Sequence, residues 1–448
     1  MIGRNYLFFS VALGAIGWLS LCSFGQSVAP TPKSTVTTPT TRPELTPEQK
    51  RSNELYVAFY KRRRQGFSTH SPSDNASRLL AKVSSGEVTL DNRDQRSLTK
   101  SLLAALDVPV SSQLLVYSGT ASQGTKVNPK NPRALYFNDE VYVGVVPGGL
   151  VEMIGVDANI GGVPYTFRQV GTGSVPSTTG GEDCIRCHSG AQSGFAQGFF
   201  GRSLVPTEDG FIQGGEAVGT EGHNRPLGRR FGGWFVTSAR PDVFGKAGLV
   251  AETEGTNRRR VTGYKMTRPG QLYDAKLHLA ESSDILAHLL HEHQIGFHNR
   301  VARVLMSADD DGCQEGVRLS PTHAQDITNL VAYMLFQDEA TLPAEGIVGD
   351  PKFAEDFSRN RRPAKSGAAL KDLDLHTRLL KHRCTYMIYT RPWMEMPAKV
   401  KGEIYAKLRS ALMGKDYIGS HLSDSEKREI VQILSDTVPD LPADWKSS

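Results

Sequence analysis

The sequence predicts an α+β protein, with a small, mostly antiparallel sheet followed by a predominantly helical C-terminal half. Two observations carry this. Between about residues 111 and 170, short runs rich in aromatic and β-branched residues alternate with turn signals. From Tyr273 onward the apolar residues recur instead at steps of three and four, the period of a helix. The length, 448 residues, is enough for a large core. The formal charge of +5 comes from 52 basic and 47 acidic residues spread along the chain. That dispersion argues against a nucleic-acid interface.

The N-terminus reads as an export signal. Arg4 precedes a mainly apolar run from Tyr6 to Leu21, and Ser23-Phe24-Gly25 supplies the small residues of a cleavage site before Gln26. Periplasmic localisation follows from this reading. Leu21 is bulky where a lipid-anchoring signal at Cys22 would need a small residue, so a lipoprotein or membrane-tethered form is disfavoured. Residues 26–45 form a Pro/Thr-rich linker with almost nothing to bury. A helical segment, 46–110, follows: Thr46-Pro47-Glu48-Gln49 opens a helix to about Arg64, and shorter helices are predicted over Ser73–Lys82 and Arg96–Ala105. The run Lys61-Arg62-Arg63-Arg64 reads as a solvated helix end, with weak membrane association or an acidic partner as its alternative.

The region 111–272 should hold the sheet. Its strands are Leu114–Tyr117, Ala134–Phe137, Val141–Val146, Val151–Val156 and Val163–Val170, with tight turns at Asn138-Asp139 and across Asp157–Gly162; Gly232–Thr237 adds a further strand. In the helical region, 273–448, the segments are Ser282–Met306, Thr322–Phe336, Leu373–Tyr389, Lys399–Met413 and Ser423–Leu434, and Trp445 packs back from a prolyl tail.

One motif stands apart. Cys184-Ile185-Arg186-Cys187-His188 has the C-x-x-C-H spacing of covalent haem attachment, with Cys184 and Cys187 as thioether donors and His188 as proximal iron ligand. It predicts one covalently attached haem c. His223, in Gly222-His223-Asn224-Arg225-Pro226, leads as distal ligand, with Met266 and His293 as alternatives. Arg225, Arg229, Arg230 and Arg240 are candidates for propionate contacts, and Trp234 reads as a packing residue.

The helix containing His288, His291, His293 and His298 holds four of the twelve histidines. His293 falls on its apolar stripe, where an imidazole must find backbone, carboxylate or metal. The H-E-x-x-H protease spacing is absent, since Ile295 stands where a second histidine is needed. Cys313 and Cys384 either pair as a disulfide or stay as buried thiols.

The stretch Pro132–Gly144 followed by Cys184–His188 resembles a poorly characterised family of large bacterial exported proteins with a cytochrome c-type haem site. Arg230–Thr237 is similar to the family's next block, and Glu292-His293-Gln294 with His298-Asn299 to its helical block. The similarity covers about residues 110–445, although Ser238–Phe244 lacks the histidine that the family's glycine-rich loop carries. The resemblance implies haem binding and electron transfer. With the motif and the signal segment it gives an exported monohaem c-type cytochrome and a redox partner protein. The alternatives are a peroxidase-like haem enzyme, given the chain's size, and a haem-stabilised structural protein.

Overall fold

In the computed structural model the described residues are 71–120, 123–167, 177–179, 184, 188–189, 196–214, 222–237, 245–253, 261–266, 270–310 and 321–445. The expected signal segment, linker, first helix, Lys61–Arg64 run, Cys187, Arg240 and Cys313 lie outside them.

The fold is the expected α+β. Its centre is an antiparallel sheet whose strands are β1 (Leu114–Val116), β2 (Arg133–Phe137), β3 (Val141–Val145), β4 (Val151–Asp157), β5 (Gly161–Phe167) and β6 (Ser177–Thr179). With β7 (Val205–Pro206) and β8 (Ile212–Gly214) forming a separate pair, the sheet is completed by β9 (Trp234–Phe235). Its order is β6-β5-β4-β3-β2-β1-β9. The predicted strand at Gly232–Thr237 is thus real, but shortened to two residues beside β1.

Turn chemistry fixes the register. Asn138 Oδ1 accepts from the N–H groups of Glu140 and Val141 between β2 and β3, each at 2.9 Å. Asp157 Oδ1 does the same for Asn159 and Ile160 before β5, and the turn ends on Gly161 with a φ of +88°, a conformation that favours glycine.

Both faces of the sheet are covered, which is why its strands read as continuous apolar runs instead of clean alternation. Leu115, Tyr136, Val141 and Val143 pack with Leu98 and Leu102 of α2 (Gln95–Ala105). Leu114, Phe137 and Tyr142 face the helical half. Preceding α2, α1 (Asn75–Ser84) is fastened to the sheet by its cap. Asp74 accepts from the N–H groups of Ala76 and Ser77, and Tyr165 on β5 donates to its other oxygen at 2.5 Å. Gly155 on β4 lies under that carboxylate, and a Cβ there would collide with it. Asp74→Ala removes a helix cap and strands the Tyr165 hydroxyl. It should cost about 2 kcal/mol in urea unfolding, against a few tenths for Asp74→Asn.

A second hairpin, β10 (Leu249–Thr253) with β11 (Val261–Met266), was not foreseen. Beyond it come α3 (Ile285–Asp310), α4 (Pro321–Met334), α5 (Pro351–Ser358), α6 (Arg391–Met394), α7 (Ala398–Met413) and α8 (Asp424–Thr437). The expected helix over Leu373–Tyr389 is absent: the segment is a loop ending in a short 3₁₀ turn at Tyr386–Tyr389. Asp374 folds its carboxylate back onto the N–H groups of His376 and Thr377, and Leu375 takes a φ of +63°. Such an aspartate turn competes with helix formation. Trp445 is buried, with its ring 6.5 Å from that of Tyr405, as the tail was expected to place it.

Candidate functional site: the buried histidine helix

The first fifteen residues of α3 are buried on every side. A helix enclosed in this way should be apolar all round, yet this stretch carries His288, His291, Glu292, His293, Gln294, His298 and Asn299. Asp284 caps its start, accepting from Leu286 N at 3.0 Å while its other oxygen takes Asp350 N at 2.9 Å. Each polar side chain then needs a partner in the neighbouring elements.

Most of these partners are neutral. His288 Nε2 lies 2.9 Å from the Phe235 carbonyl and 3.0 Å from Ser283 Oγ, tying α3 to β9. His298 Nε2 is 3.3 Å from the Asp139 carbonyl at the β2–β3 turn. Gln294 donates to Asp139 and to the Tyr386 hydroxyl, and receives the Tyr142 hydroxyl at 3.1 Å. Asn299 bridges the backbone N–H and C=O of Phe199. His291 packs edge-on to Phe137 and Tyr142 and tilted against Trp234. Lys371, itself buried, reaches Asp139 at 2.7 Å and Asn360 at 2.6 Å.

The remaining histidine of the helix joins a chain. His293 Nδ1 is 2.8 Å from His223 Nδ1, and its Nε2 is 2.8 Å from Thr385 Oγ1. The His223 ring lies between Tyr333 and Phe336, 3.9 and 4.3 Å from their centroids. Beside it, Arg230 donates to Glu292 at 2.9 Å and to the carbonyls of Arg225 and His223. This ion pair is almost fully buried.

Burial governs the protonation of these groups. It pushes His293 and His291 down to about 3, and His288 and His298 to about 4. His223 is held well below its ordinary value by burial, with His293, Arg300 and Arg230 adding to the effect. For the Glu292 carboxyl, burial pushes upward while Arg230 and Arg225 pull down. The imidazoles are therefore neutral at pH 7 and act as hydrogen-bonding groups.

The residues read from the sequence as iron ligands and propionate contacts have these neighbours. His223 and His293, the two histidine candidates for the distal position, are bound to each other. Arg230, a propionate candidate, is taken by Glu292. Met266 ends β11, where it pairs with Leu249. His188 Nδ1 is 2.9 Å from the Gly198 carbonyl and its ring tilts against Phe200; Cys184 and His188 are both helical and half-buried. Trp234 is the packing residue anticipated, donating from Nε1 to the Arg202 carbonyl. Cys384 is a fully buried thiol, which burial pushes up to about 12. Sequence reasoning missed Thr385, Tyr333 and the pairing of Arg230 with Glu292. The one available signal was that Arg230 and Glu292 open the two blocks, Arg230–Thr237 and Glu292–Asn299, that the sequence had set apart.

Among the described residues, no group of three or more His, Cys, Asp or Glu side chains is placed to hold a metal ion. No helix among them is long and apolar enough to cross a membrane. No protein-family model, curated protein or solved structure matches the chain. The resemblance to exported proteins with a CxxCH haem site is therefore withdrawn. With it go the covalent haem c on Cys184, Cys187 and His188, the monohaem cytochrome, and the peroxidase-like and haem-stabilised alternatives.

Proposed function

We propose that the protein is an exported structural scaffold whose histidine-rich helix serves folding instead of chemistry. The observation that carries this is the closure of the polar network on α3. His288 and His298 reach backbone carbonyls, His293 reaches His223 and Thr385, and Glu292 reaches Arg230. Together these bonds tie the sheet, the 222–230 segment and the Thr385–Tyr389 turn to one helix. Export is supported by the apolar run Tyr6–Leu21 and the small residues before Gln26. The dispersed basic residues favour a protein partner over nucleic acid.

A structural histidine tolerates a neutral side chain that keeps its hydrogen bond and rejects one that deletes it. His288→Ala should lower stability by about 2–3 kcal/mol, leaving the Ser283 hydroxyl and the Phe235 carbonyl without their imidazole. His288→Gln, whose amide can reach the same acceptors, should recover at least half of that loss. Equal losses for both variants in urea unfolding would argue against a hydrogen-bonding role. N-terminal sequencing of protein from the periplasmic fraction should begin at Gln26.

A further inference from the structure

Lys371 lies in the loop that follows α5, with only 5% of its side chain exposed. Each of its three ammonium protons has an acceptor: Asp139 Oδ2 at 2.7 Å, Asn360 Oδ1 at 2.6 Å and the Phe357 carbonyl at 3.2 Å. The rings of Phe357 and Tyr386 close over Nζ, their centroids 4.5 and 4.9 Å away. They hold the amine in place and keep water from it. Asn360 binds the same carboxylate from its other end, its Nδ2 donating to Asp139 Oδ2 at 3.2 Å. One carboxylate oxygen therefore lies against both nitrogens, the amine and the amide. The other oxygen, Oδ1, accepts from Gln294 Nε2 at 3.1 Å, which also donates to the Tyr386 hydroxyl, so the carboxylate is fixed in this orientation.

A salt bridge needs only the lysine and the aspartate. An amine, a carboxamide and a carboxylate touching both are the parts of an amide exchange: nucleophile, acyl group and proton carrier. We propose that Lys371 and Asn360 join in an intramolecular isopeptide bond, with Asp139 as the catalytic carboxylate. The inference goes beyond the scaffold reading and does not depend on it. The bond would close residues 360–371 into a covalent ring beside the β2–β3 turn.

The chemistry balances within the three side chains. Asp139 Oδ2 takes one proton from Nζ, which leaves no charge against the two rings. The freed lone pair attacks Asn360 Cγ, the carbon one bond beyond Oδ1, and the carbonyl electrons move onto Oδ1. A turn of the amide about its broad terminal torsion presents that carbon to Nζ, and the fixed contacts hold the reactants together while it does so. Asp139 passes its proton to Nδ2. The electrons return from Oδ1, and the Cγ–Nδ2 bond breaks with its pair on nitrogen, releasing ammonia. The second Nζ proton goes to Asp139 and from there to the ammonia, which departs as ammonium and restores the carboxylate. Nζ keeps one hydrogen, and nothing is oxidised or reduced. Asn360 is itself exposed, so the leaving group has a way out while the nucleophile stays buried.

The test is tryptic peptide mapping by tandem mass spectrometry on the full chain after a day at pH 7.5. Mapping is needed because an N-terminal glutamine also loses ammonia when it cyclises. Trypsin acting on an unjoined chain releases Asn360-Arg361 and cuts after Lys371. The joined chain should instead give Ser366–Arg378 uncut at Lys371, carrying Asn360-Arg361 as a branch, in most molecules. The branched species should weigh about 17 Da less than its two peptides, for one lost ammonia. Lys371→Arg and Asn360→Ala should abolish it. Asp139→Ala, which keeps both reacting side chains, should lower its yield at least about tenfold; Asp139→Ser serves the same purpose if Asp139→Ala fails to fold. Free Asn360-Arg361 with complete cleavage after Lys371 in the wild type overturns the proposal, whatever the variants do. A branch from Lys371 to Asp139, about 18 Da lighter for a lost water, overturns the assignment to Asn360. An undiminished Asn360 branch in Asp139→Ala overturns the role given to Asp139.

Discussion

Lowering the pH from 7.5 to 5.5 should remove several kcal/mol of folding stability. His223, His278, His288, His291, His293 and His298 are buried with their folded pKa below the ordinary 6.5. The unfolded chain binds more protons than the folded one wherever pH lies below 6.5 and above the folded values. Their contribution is complete above pH 6.5 and is lost as pH falls toward about 4. One unit below 6.5, each costs roughly 1.4 kcal/mol, or roughly 8 together.

Buried carboxyls act the other way. Burial pushes Glu339 up to about 7, so the folded chain takes up its proton first, and acid returns roughly 2 kcal/mol there. Glu292, Asp74 and Glu140 are raised in the same direction. The net loss should be roughly 4 kcal/mol, a large fraction of the roughly 5–15 kcal/mol that holds most domains together. Urea midpoints measured at half-unit steps from pH 8 to 5 should fall monotonically below pH 6.5. A flat profile would mean that the histidines are already charged in the folded chain, or exposed.

Breaking the Arg230–Glu292 pair on one side should be the most damaging single substitution in the site. Arg230→Met leaves a carboxylate buried beside neutral imidazoles and also removes two bonds to backbone carbonyls. The expected loss is about 3–5 kcal/mol. Glu292→Gln should cost less, because an amide can still accept from Arg230 and carries no charge to strand. The double variant Arg230→Met/Glu292→Leu should regain much of the loss, since paired removal leaves neither charge unsatisfied. Urea unfolding of the wild type, Arg230→Met, Glu292→Leu and the double variant forms a double-mutant cycle. Additive losses would show that the two side chains act independently.

The sheet was legible because its signals are local. Asn138 and Asp157 mark turns from within three residues of the N–H groups they accept, and the β-branched runs lie directly between them. The helix α5 was also written locally, in Asp350-Pro351: the aspartate caps Lys352 N at 2.8 Å and the proline takes the first turn. It was overlooked because its apolar pattern spans only eight residues. Leu373–Tyr389 failed in the opposite sense. Its leucines recur at helical spacing, but Asp374 bends the chain, and its apolar residues are satisfied by separate contacts with the core.

The site was harder to read for a different reason. An isolated buried imidazole has the same sequence signature whether it meets iron, a carbonyl or a second imidazole. His293 finds its partners 70 residues upstream and 92 downstream, separations that no local pattern encodes. The blocks singled out at Arg230–Thr237 and Glu292–Asn299 do meet, through Arg230 to Glu292, and the Phe235 carbonyl reaches His288 one turn earlier on the same helix. Their proximity reflects fold-holding bonds.

The central claim is that the histidines on and against α3 are uncharged core groups with fixed partners. Long-range ¹H–¹⁵N correlation spectra of histidine-labelled full-length protein at pH 7.5 read this directly. The account predicts neutral imidazole patterns for His223, His288, His293 and His298, with one Nδ1 proton shared between His223 and His293. An imidazolium pattern at His223 or His293, or signals that titrate near 6.5 while the fold persists, would contradict it.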